Sequence, residues 1–115
     1  MAARSKGPKG PARRSRKIPK AFRMGSLMFV VREYPLAKLQ KLIGENYGAF
    51  LPESQSILIP EASSSITEDF REQIFYHELF HVLCWVTGSK DYGNEIIIDA
   101  SGHALKQYMD TAIFK

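Results

Sequence analysis

A chain of 115 residues with a formal net charge of +4 is one domain at most. The charge is divided: residues 1–23 hold nine of the sixteen Lys and Arg and none of the twelve Asp and Glu, leaving a net of −5 on residues 24–115. One cysteine, Cys84, excludes an intrachain disulfide; no apolar run approaches the ~18 residues that span a bilayer, and no apolar stretch follows the basic start as in a secretory signal, so a cytoplasmic protein without membrane contact is expected.

Residues 1–20, MAARSKGPKGPARRSRKIPK, have no hydrophobic periodicity and read as a disordered basic tail, able to make weak, non-specific nucleic-acid contacts through phosphates. The domain is expected over 21–115. Residues 21–34 have strand character centred on Phe29-Val30-Val31, ended by Pro35. Leu36, Leu39, Leu42 and Ile43 form the stripe of a short helix before Gly44. Two short apolar runs, 47–51 and 56–60, separated by Pro52-Glu53-Ser54-Gln55, predict a β-hairpin. A long helix follows, opened by a Ser65–Glu68 capping box or by Thr67 as N-cap, and closed at Gly88. A turn over 88–93 leads to a last helix from about Asn94 to Ile113. The fold class is α+β: a small, mostly antiparallel sheet of about three strands packed on two long helices.

The long helix carries His77-Glu78-Leu79-Phe80-His81. Histidines four residues apart stack on one helical face, so their imidazoles can converge on one metal ion, with zinc the expected cofactor. The Glu78 carboxylate falls beside that point, placed to take a proton from a water that the metal activates. Apolar residues surround the motif, and buried polar groups without a partner are costly, which favours a ligand.

A catalytic zinc takes three protein ligands and leaves a position open. Glu95 is the expected third. Six helical residues beyond His81 carry the chain ~9 Å past it, and six extended residues span up to ~20 Å, enough to bring Glu95 back level with the histidines. Asp99, one turn later, can accept the remaining ring N–H of a ligand histidine. Asp99 itself, His103, Asp91 and Cys84 are rival third ligands, and Cys84 also suits a small buried thiol. Gly102 and Ser101 suit a close approach of the two helices.

His77-Glu78-x-x-His81 followed by Asn94-Glu95-x-x-x-Asp99 resembles the gluzincin, thermolysin-like metallopeptidases. The whole pattern over about 18–113 looks more like the small zinc metallopeptidases encoded by bacteriophages and their hosts, relatives of minimal gluzincin and SprT-like proteins. The resemblance implies a zincin-like fold and a peptide or protein substrate held on an edge strand. It also implies zinc on His77, His81 and Glu95, Glu78 as general base, and Asp99 supporting a histidine. The oxyanion-stabilising residue is unassigned, with Tyr92, Tyr108 and His103 as candidates. An alternative is a non-catalytic, zinc-stabilised interaction protein, associated with nucleic acid through its basic tail.

Overall fold

The computed structural model describes residues 18–113, an α+β fold with three helices and a four-stranded mixed sheet. The expected tail lies outside the described residues up to position 17. Ile18 already packs on the core, and the Lys20 carbonyl accepts from the Val31 N–H at 2.9 Å. Among the described residues, no helix is long and apolar enough to cross a membrane.

Strands β1 (Ala21–Met24) and β2 (Leu27–Tyr34) form a hairpin with Met24 opposite Leu27. Its two-residue turn is Gly25-Ser26, with Gly25 at φ +63°, where a side chain would be strained. This turn divides residues 21–34, expected as one stretch of strand character, so the sheet has four strands and not about three. Helix α1 (Leu36–Ile43) follows Pro35 and ends at Gly44. Strands β3 (Ala49–Leu51) and β4 (Ser56–Pro60) pair antiparallel, giving the expected second hairpin.

The strand order is β1-β2-β4-β3, and the central pair is parallel, with Val31 opposite Ile57. The chain between β2 and β4 contains α1 and β3, the long connection that parallel neighbours need. All five residues of β4 are buried, which accounts for its unbroken Ile57-Leu58-Ile59 run. Ile57 and Ile59 belong to the main core with Phe29, Phe50, Ile74 and Phe75, while Leu58 alternates to the other face, where Leu39 of α1 is fully buried.

Helix α2 (Glu68–Thr87) lies against that main core. Thr67, not Ser65, is its N-cap: its hydroxyl accepts from the Phe70 N–H at 3.1 Å. Glu68 and Asp69 complement the positive helix start, and Gly88, at φ +70°, ends it. Buried Arg71 ties this end of α2 to the sheet, donating to the Pro60 carbonyl at 2.8 Å and pairing with Glu33 of β2 and with Glu68. At the sheet edge, β3 pairs with β4 and, among the described residues, with no other strand, and α2 lies beside it.

Candidate metal centre

After one turn of 3-10 helix, Lys90–Gly93, helix α3 (Glu95–Thr111) begins at Asn94, whose side chain accepts from the Ile97 N–H at 3.2 Å. It runs back along α2: its first residue meets His77 and His81, and Lys106 near its end binds Asp69 at 2.8 Å. Between these contacts the backbones come close. A Cβ on Gly102 would lie 3.0 Å from both Cα and N of His77, so glycine sets this crossing.

The approach brings three side chains together. His77 Nε2 is 3.0 Å from Glu95 Oε1, and His81 Nε2 is 3.1 Å from Glu95 Oε2. The metal-ligating atoms of His77, His81 and Glu95 all lie within 4.8 Å of one another, and this is the one such group among the described residues. The opposite ring nitrogens have their own partners: His77 Nδ1 sits 3.2 Å from Asp99 Oδ1, and His81 Nδ1 sits 2.9 Å from the Tyr92 carbonyl. A carbonyl can only accept, so His81 Nδ1 carries a proton, and a neutral ring then turns its Nε2 lone pair toward Glu95. The Asp99 carboxylate imposes the same tautomer on His77. A carboxylate facing two imidazole lone pairs is repelled unless a proton or a cation lies between them. Two imidazole nitrogens and one carboxylate oxygen suit zinc, and equally other first-row divalent ions. These residues fit a metal.

Glu78 is 7% exposed. Burial pushes its carboxyl up to about 7; Glu95 adds to this, while His77 and a hydrogen bond from the Phe50 backbone N–H pull the other way. A carboxyl in that range can both take and release a proton near neutrality. It lies in the wall between two grooves, of ≈330 and ≈310 Å³, that also share Asn46, Gly48, His77 and Glu95. The first is walled by Phe70, Ile74 and Tyr47, with the Tyr47 and Phe70 rings edge-on at 5.2 Å. The second is walled by Phe50, Tyr92 and Gly93.

The remaining residues singled out in the sequence fall as follows. Asp99 reaches His77 but not the converging donors. His103 Nε2 is 3.5 Å from Asp99 and both its ring nitrogens face the Gln73 amide, so it stands behind Asp99, outside the group. Cys84 and Asp91 are also outside it. Tyr92 lines a groove, its phenol held above the usual range by burial and by Glu78 and Glu53. Tyr108, 54% exposed, lines neither groove. Sequence reasoning missed the Tyr92 carbonyl, the Phe50 N–H and Gly48. The first two are backbone groups, which every residue has, and Gly48 lies inside the 47–51 run expected as a strand, which in fact begins at Ala49, and has no side chain to mark it.

No protein-family model, no curated protein and no solved structure matches the chain.

Proposed function

We propose that the protein is a metal-dependent peptide hydrolase of zincin-like type, with zinc as its metal. The observation that carries this reading is the convergence of His77, His81 and Glu95 beside a buried Glu78, at the wall between two grooves. When held by those three residues, zinc supplies Lewis acidity toward water and toward a scissile carbonyl. Asp99 and the Tyr92 carbonyl fix both rings with Nδ1 protonated, so each Nε2 presents its lone pair inward. Glu78 takes the proton of the attacking water and returns it to the leaving amine. The edge of β3 that does not pair with β4 receives the substrate backbone as an added strand, through groups other than the Phe50 N–H that Glu78 holds. We assign Tyr92 as the donor to the developing oxyanion, since it lines the same groove as Glu78.

Among the described residues the donor group has three side chains, one fewer than a closed four-coordinate structural site would use, which supports catalysis over a purely structural metal. Elemental analysis of wild type supplied with zinc should give one zinc per chain, sharply weakened in His77→Ala and in Glu95→Ala. Glu78→Gln should keep zinc and cleave peptides about 100-fold more slowly or worse. Wild type without zinc would end the reading, and a fully active Glu78→Gln would remove Glu78 from it.

A further inference from the structure

Gly48 directly precedes β3 beside α2, and it lines both grooves. Its φ is not in the left-handed region, which among the glycines holds Gly25, Gly44 and Gly88, so backbone freedom is not what it contributes. Space is. A Cβ there would lie 2.5 Å from Ile74 Cγ2, 3.2 Å from the Leu58 carbonyl oxygen and 3.4 Å from Glu78 Oε2. Leu58 O is backbone in the central strand, and Ile74 is 7% exposed within the core, so neither can step aside into solvent. Ile74 is one helical turn before Glu78, on the same side of α2. A methyl at 48 would therefore press on Ile74 and also stand 3.4 Å from the Glu78 carboxylate that the Phe50 N–H holds.

We propose that Gly48 is a positioning residue for Glu78: the missing side chain lets β3 close on α2 until the Phe50 N–H grips the Glu78 carboxylate at the wall between the grooves. The ligands come from α2 and α3, and none is among the atoms nearest a Cβ at 48, so the metal donors are left in place. The value of holding Glu78 rests on the proposed hydrolysis, but the grip itself can be tested apart from it.

The test uses the full-length, zinc-supplied, ¹⁵N-labelled protein and reads the Phe50 amide resonance, with Glu78→Ala marking its position when the bond is lost. Gly48→Ala should move this resonance most of the way to the Glu78→Ala position. Its zinc affinity should change by less than the roughly 10-fold that loss of a ligand's supporting partner brings. Ile74→Leu has no Cγ2 and should return the resonance toward its wild-type position in the double variant. Ile74→Val keeps Cγ2 and should not. If a cleaved peptide is in hand, Gly48→Ala should lower kcat about 100-fold with little change in KM. A folded Gly48→Ala with the wild-type Phe50 resonance would overturn the proposal, as would equal rescue by Leu and Val. Should Gly48→Ala not fold, Gly48→Ala/Ile74→Leu is compared with Ile74→Leu alone: coincident Phe50 resonances support the proposal, and separated ones sink it. Wild type that binds no zinc or cleaves no peptide would count against the function and leave the Phe50 readout standing.

Discussion

Glu78 is the residue on which opposing influences meet. Burial and Glu95 favour its neutral form; His77 and the Phe50 N–H favour its charged form, and burial wins. A carboxyl raised from 4.5 in the unfolded chain to about 7 in the fold binds more protons when folded. Its contribution to stability is therefore fully present below pH 4.5 and is lost as pH rises through about 7. In protein stripped of metal by a chelator, wild type should lose on the order of 3 kcal/mol between those pH values relative to Glu78→Gln. Urea unfolding at a series of pH values measures this, and parallel curves for the two proteins would contradict it. The motif itself was legible because a helix fixes the relation of residues four apart. The groups that tune it were not: the Phe50 amide, the Tyr92 carbonyl and the space at Gly48 have no side chain to read.

Between elements, the centre depends on how α3 lies on α2. Glu95 reaches the histidines because Gly102 touches the His77 backbone and Lys106 holds Asp69. Lys106 is itself buried, bonded to Asp110 and 3.7 Å from the fully buried Glu72. Gly102→Ala places a methyl 3.0 Å from backbone atoms that cannot rotate away, so the helices must part by a few tenths of an ångström. The expected cost is about 1–3 kcal/mol of stability, together with weaker zinc binding, because Glu95 and Asp99 move with α3. Chemical denaturation and zinc competition measure the two effects, and an unchanged zinc affinity would show that this crossing does not set the site. The helix ends were written locally, in Thr67, Gly88 and Asn94. The β1-β2 turn was also written, as Gly25-Ser26, but the loosely alternating apolar residues on either side hid it. The parallel pairing of β2 with β4 had no local signal at all, since it joins segments separated by a helix and a strand.

For the whole molecule, the sheet and α2 share the main core through Phe29, Phe50, Ile57, Ile59, Ile74 and Phe75, while α3 adds Ile98 as a fully buried large apolar residue. A body of this size buries a modest core, and a metal joining α2 to α3 would stabilise their docking by mass action. Free zinc at 100 times its dissociation constant should add about 2.7 kcal/mol. Thermal unfolding should therefore shift upward with zinc and fall back with chelator in wild type, and should not respond in His77→Ala. An equal response in both proteins would place the metal elsewhere.

The α+β class, the extents of α1, α2 and α3, the β3-β4 hairpin and the facing of His77 with His81 were legible along the chain. All of these rest on periodicity, capping or turn chemistry within a few residues. The fourth strand's place in a mixed sheet, the separation of Asp99 and His103 from the converging donors, and the approach of β3 to Glu78 emerge only in the folded molecule. Those depend on which surfaces meet across the core, and that is settled by burial and by the room left at Gly48 and Gly102, not by the order of neighbouring residues.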